Sequence, residues 1–165
     1  MNCCQLPDQF LLWIPIKLRM PAMNFRSFFL LTLTLPAIAT AAGAFSGAWT
    51  VDLRTPAEIK RNAECGRATF QLLQEANKIT GNHSMSTADC GRVNEGGEGT
   101  VQGVVIGATA VLVVTSGRNG EIIIGTATVA GRALRWRVRE QIKAGKPEGD
   151  SALILSRGVL LKERP

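Results

Sequence analysis

From residue 45 onward apolar and polar positions alternate one by one, the period of strands that bury a single face. Phe45, Gly47, Trp49, Val51 and Leu53 fall on one face of a first strand, and Ser46, Thr50, Asp52 and Arg54 on the other. The following stretch, TPAEIKRNAE, holds the one helical signal in this part of the chain. Thr55 is placed as N-cap, Pro56 at the first helical position and Glu58 in the first turn, enough for one or two turns. RATFQLLQ (67–74) and KITGNHSMS (78–86) flank the short link Glu75-Ala76-Asn77, which predicts a hairpin. Past the glycine-rich stretch GRVNEGGEG (91–99) come TVQGVVIG, TAVLVVTS, EIIIGTATV, ALRWRVREQI and SALILSRGVLLKE. Turn signals at Asn119-Gly120 and Ala130-Gly131-Arg132 separate some of these runs. Eight strands on short links predict an all-β fold, an eight-stranded antiparallel up-and-down barrel with a short helical turn after the first strand.

Ahead of the first strand the pattern changes. From Met20 or Met23 the chain reads as a secretory signal peptide, with Arg26 in a basic n-region, an apolar run from Phe28 to Ala39, and small residues ending Ala42-Gly43-Ala44. The run is short for a membrane span. Cleavage is expected after Ala44, with Ala42 and Ala39 as alternatives. Residues 1–19 put a second apolar patch before a complete signal; they read as a misassigned start, the alternative being a long n-region or a hydrophobic anchor. The expected organisation is a leader over 1–44 and a single barrel domain over 45–165, periplasmic or secreted, with no transmembrane segment in the mature chain.

Export changes the reading of charge and cysteine. The formal charge of +6 falls to +4 once Lys17, Arg19 and Arg26 leave together with Asp8, a mild excess that favours solubility and demands no specific nucleic acid. Cys3 and Cys4 leave too, and a disulfide between Cys65 and Cys90 is the default in an oxidising compartment.

Catalytic chemistry is poorly supplied. His83 is the single histidine, tyrosine is absent, and no G-x-S-x-G elbow occurs. GEGTVQG (97–103) has one residue too many for a phosphate loop and leads into a strand. Asp89, Glu95 and Glu98 match no calcium loop, and paired cysteines leave no zinc ligand set. The reading is therefore a non-enzyme without metal or cofactor.

Two features point outward. Val104 to Ile106, Val111 to Val114 and Ile122 to Ile124 are apolar at consecutive positions, which predicts a homo-oligomer contact through the outer face of strands 101–125, or else a covering loop. In RALRWRVRE, Arg135, Arg137 and Arg139 share one face as a candidate basic partner surface. Leu134, Trp136 and Val138 share the other, with Glu140 next on the apolar side. Trp136 would then line a cavity and Glu140 would sit near its rim.

Gly47-x-Trp49 at the first strand, Ile79-Thr80-Gly81 in the third, and eight meander strands resemble the calycin-like barrels, which include lipocalins and avidins. The resemblance implies that Trp49, with Gly47, plugs the closed end of the barrel and that a ligand enters at the open end. Phe70, His83 and Trp136 are the candidate lining residues. Only Trp49 and Trp136 remain as indoles after cleavage, which leaves the aromatic walls of a biotin site largely missing.

The chain is also similar to small periplasmic inhibitors of serralysin-type metalloproteases. That family combines an exported eight-stranded barrel with an early G-x-W and one disulfide from the start of the second strand to the end of the third. Cys65 before ATFQL and Cys90 after HSMSTAD match that placement. In that family an N-terminal trunk enters the protease cleft, and cleavage after Ala44 would leave almost none here. The expected function is an exported, non-catalytic small-ligand or partner-binding barrel, with protease inhibition as the alternative.

Overall fold

The computed structural model describes residues 43–164; the leader expected over residues 1–42, with Cys3 and Cys4, lies outside the described residues. The elements run β1 (Gly47–Asp52), α1 (Pro56–Lys60), β2 (Arg67–Glu75), β3 (Lys78–Ser86), β4 (Val93–Asn94), β5 (Val101–Ile106), β6 (Thr109–Thr115), β7 (Ile122–Ala130), β8 (Ala133–Lys143) and β9 (Arg157–Lys162). β1 pairs with both β2 and β9, and β2 pairs along its length with β3, so the ladder returns to its start. The ring is a closed, eight-stranded antiparallel barrel in meander order, and β4 adds two residues beside the end of β3. Closure removes the unpaired edges that an open sheet of this length would expose.

The alternation read from the sequence sets which residues fill the bore. Trp49, Phe70, Ile79, Leu112, Leu134 and Leu160 are fully buried, while their strand neighbours face out. Gly125 faces inward directly under the Trp136 indole, where any Cβ would collide with the ring. Ala127 and Gly158 are the cross-strand partners of Trp136, and a Cβ at Gly158 would press on the Leu155 side chain.

Antiparallel winding sorts the connections to two ends. At one end lie residues 43–46, where Phe45 is buried beside Trp49, together with the hairpins after β2, β5 and β7. The β2–β3 turn is tighter than the three-residue link suggested, since Glu75 and Lys78 already pair across it.

At the other end stands α1, started by a complete capping box. The Thr55 hydroxyl accepts the Glu58 N–H and the Glu58 carboxylate accepts the Thr55 N–H at 2.7 Å. The helix buries no side chain of its own and is tied down by the Arg61–Asp89 ion pair. Beside it a disulfide joins Cys65 to Cys90, 25 residues apart, linking the approach to β2 with the loop after β3.

Two expectations about strands change. The last apolar run was expected to be a strand over 151–163, but β9 starts only at Arg157. Leu153 has φ 47°, outside strand geometry, and residues 150–156 leave the ladder. In β8 a register shift against β7 falls between the Gly125–Val138 and Ile124–Glu140 pairs, leaving Arg139 without a cross-strand partner. That extra residue reverses the alternation. Glu140 pairs with outward-facing Ile124 and is exposed, on the wall and not at the cavity rim.

A Cys65→Ser/Cys90→Ser variant is expected to keep its far-ultraviolet β spectrum and lose about 3 kcal/mol of stability, the entropy of a loop this long. Urea unfolding of the oxidised protein and the variant measures the difference.

Candidate functional site

The residues expected to line a cavity are brought together, and they fill the space between them. Trp49, Phe70 and His83 are successive cross-strand partners on β1, β2 and β3, so one ring of the barrel carries all three inward. Phe70 meets His83 edge-on at 4.6 Å between centroids and Trp136 at 5.1 Å. Trp49, Phe70 and His83 have no exposed surface, and Trp136 has 2%. The Trp49 indole N–H donates to the Phe45 carbonyl at 2.8 Å, and Lys162 Nζ lies 5.2 Å from the ring centroid. The chain leading into β1 is thus pinned across that end of the bore.

The opposite end is closed by the segment that left the ladder. Residues 150–156 cross it as a strap, with Ala152, Leu153 and Leu155 buried. A backbone brought into an apolar bore without ladder partners needs other hydrogen bonds, and side chains from several elements supply them. Asn94 on β4 donates to the Ala152 and Leu153 carbonyls at 3.2 Å each, and the Ser116 hydroxyl donates to Ala152 at 2.8 Å. Asn119 donates to the Asp150 carbonyl at 3.0 Å, and the Trp136 indole N–H to the Leu155 carbonyl at 2.6 Å. Arg118 pairs with the Asp150 carboxylate at the outer end, at 3.2 Å. One ladder-like bond, from the Val138 N–H to the Ser156 carbonyl, leads into β9.

His83 completes this set. The Leu155 N–H donates to its Nε2 at 3.4 Å, which places the neutral ring's proton on Nδ1, a buried atom without a partner. Apart from His83 itself, no acidic or basic side chain is buried among the described residues. Burial therefore holds the imidazole neutral and pushes its pKa from 6.5 down to about 4. A ring in this state has neither an acid partner nor a solvent path with which to act as a general base.

Surface depressions lie outside the bore. One of about 480 Å³ is on the outer side of β2 and β3 around Leu73, Thr80 and Asn82. Another of about 290 Å³ flanks the strap between Glu121, Val138 and Leu153. Among the described residues no group of three or more His, Cys, Asp or Glu side chains is placed to hold a metal ion, and no helix is long and apolar enough to cross a membrane.

On the outer wall, Arg135, Arg137 and Arg139 are all exposed along β8. Arg139 Nε donates to the Thr126 hydroxyl at 3.0 Å across to β7. The neighbouring wall carries Val104 and Ile106, exposed at 45% and 67%, with half-buried Val111, Val113 and Ile124 between them and the arginines. The strap residues and their partners Asn94 and Ser116 carry no signal of this role in the sequence, and Asn119 reads there only as part of a turn. Each sits in a stretch that reads as an ordinary strand or turn, and nothing local links positions 94, 116 and 152.

Comparison with protein-family models, curated proteins and solved structures finds no match to this chain.

The histidine gives a pH signature. The unfolded chain takes up its proton near pH 6.5 and the folded chain only near pH 4, so between them the unfolded state binds more protons. Stability should fall as pH drops through this window, by on the order of 3 kcal/mol in all. The lowered carboxyl groups of Asp52, Glu58 and Asp89 act at still lower pH. Urea unfolding at a series of pH values should show the slope in the parent protein and a flattened one in His83→Gln, which keeps an acceptor for Leu155.

Proposed function

We propose that this chain is an exported, non-catalytic barrel of calycin-like architecture that binds a macromolecular partner through its outer surface. One observation carries the reading: the space in which a calycin-like barrel would hold a small molecule is occupied by Phe70, His83, Trp136 and the strap. A pocket that is to take a drug-sized ligand offers several hundred Å³ of concave space. With the bore filled, recognition falls to the wall and the rims. Export is supported by the Cys65–Cys90 disulfide, since such bonds persist in oxidising compartments. The non-catalytic assignment rests on a lone histidine that is buried, neutral and without a carboxylate neighbour.

Inhibition of a secreted metalloprotease is the second reading, and the disulfide favours it by tying the approach to β2 to the loop after β3. Against it stands Phe45, which is buried 3% exposed in the core, so a chain cleaved after Ala44 would begin inside the barrel with no free trunk.

Native mass spectrometry of the exported protein, with intact-mass determination of its N-terminus, tests both. The expected spectrum shows a chain starting close to Phe45 and no retained small molecule. A stoichiometrically retained ligand would overturn the partner-binding reading. Stoichiometric loss of activity when the protein is titrated into a serralysin-type protease would put inhibition in its place.

A further inference from the structure

Four arginines stand together on the wall of β8 and β9, and their arrangement works against the barrel that carries them. Arg135, Arg137 and Arg139 are exposed on β8, and Arg157, at the start of β9, is exposed beside them. Arg137 and Arg157 are direct cross-strand partners. Like charges placed opposite each other in an antiparallel pair are destabilising.

The register leaves them no escape. Trp136 and Leu160 must face the bore, and a slip by one residue would turn both into solvent and bring the arginines inside. Elsewhere on the surface arginines do find carboxylates, as in Arg54–Asp52, Arg61–Asp89 and Arg118–Asp150. None of the four wall arginines makes an ion pair among the described residues, although Glu140 follows Arg139 in the chain.

Resting on the partner-binding reading above, we infer that the outer wall of β8 and β9 docks the carboxylate-rich face of a partner protein. The cations are all arginine, whose planar fork takes a carboxylate with two parallel hydrogen bonds and gives up its hydration more readily than an ammonium. Val159 and Leu161, exposed at 47% and 62%, continue the same face of β9 and supply apolar area beside the charges. Arginine with aliphatic contact area is the composition of a protein interface, where lysine is depleted. A second copy does not fit, because a two-fold contact centred on this wall would set arginine against arginine. The wall also lacks the aromatic side chains that would stack on nucleic-acid bases.

The test uses the exported, disulfide-bonded protein, fluorescently labelled poly-L-glutamate as probe, and two readouts. Anisotropy titration should show binding that weakens as salt rises. Arg137→Thr/Arg157→Thr should weaken it about tenfold, while the charge-matched control Lys60→Thr/Arg92→Thr leaves it within about twofold. The same wall variant should melt at a higher temperature than the parent, because threonine is at home in a strand and the repulsion is gone.

Absence of binding at low salt, or equal loss in wall variant and control, would overturn the inference. So would a lower melting temperature in the wall variant, which would make the arginines part of the fold. Binding to phosphatidylglycerol vesicles without binding to poly-L-glutamate would assign the wall to a membrane surface and overturn it as well. A retained small molecule in native mass spectrometry marks failure of the partner-binding reading itself. Failure with poly-L-glutamate alone leaves that reading standing with a different docking face.

Discussion

Eight strands closed on themselves enclose a bore that side chains can just fill, and a bore left partly empty forfeits the close packing that holds the sheet in shape. In this chain the filling is done by a few large rings. Trp49, Phe70 and His83 come from adjacent strands at one level, and Trp136 on β8 reaches Phe70. Small residues stand beside Trp136: Gly125, where a Cβ would meet the ring itself, and the cross-strand partners Ala127 and Gly158. Losing a buried aromatic of this kind costs about 3–5 kcal/mol in well-packed cores, a large share of what a domain of this size has in hand.

Rings alone leave one end open, and the strap closes it in a way that couples core packing to hydrogen bonding. Bringing a run of backbone into an apolar mouth exposes carbonyls and N–H groups to a medium that cannot solvate them. Asn94, Ser116, Asn119 and Trp136 act as substitutes for a neighbouring strand, each donating to a strap carbonyl, and His83 accepts the Leu155 N–H. The arrangement is conditional on the state of the histidine. A protonated ring would present a donor to the Leu155 N–H and carry an unpaired charge in the core, so the strap and the neutral imidazole stand or fall together.

The parts of this fold that were legible in the sequence are those set by neighbours in the chain. Alternation separated the inward from the outward face in β1 and in β8 as far as Val138, and the Thr55-Pro56-Ala57-Glu58 run marked the start of α1, whereas the strands between 101 and 125 are apolar on both faces and show no such alternation. The Cys65–Cys90 pairing followed from the expected export of a chain with two remaining cysteines, and the buried place of Trp49 from the resemblance to calycin-like barrels. What was not legible depends on distant partners. Ala152-Leu153-Ile154-Leu155 has the composition of a strand, and only the presence of Asn94, Ser116 and His83 at the barrel mouth makes an unpaired path possible. Glu140 falls on the wall because parity assumes an unbroken ladder, and the unpaired residue at Arg139 inverts the positions that follow until a second register shift at Ile142.

Inside and outside of the barrel obey different accounts of stability. Every buried polar side-chain atom among the described residues has a partner except His83 Nδ1, so the interior is close to the best this topology allows. The wall of β8 and β9 is not: Arg137 and Arg157 face each other with no carboxylate to separate them. Because the inward residues hold the register, a substitution on the wall could relieve that repulsion without disturbing the core, and a neutral β-branched residue at either position would serve the fold better. On the proposed docking role, a sequence that satisfies its core and leaves an easily corrected strain on its surface keeps that strain for contacts the isolated barrel does not contain. The charge and hydrogen-bonding geometry of four guanidinium groups then define what those contacts must offer.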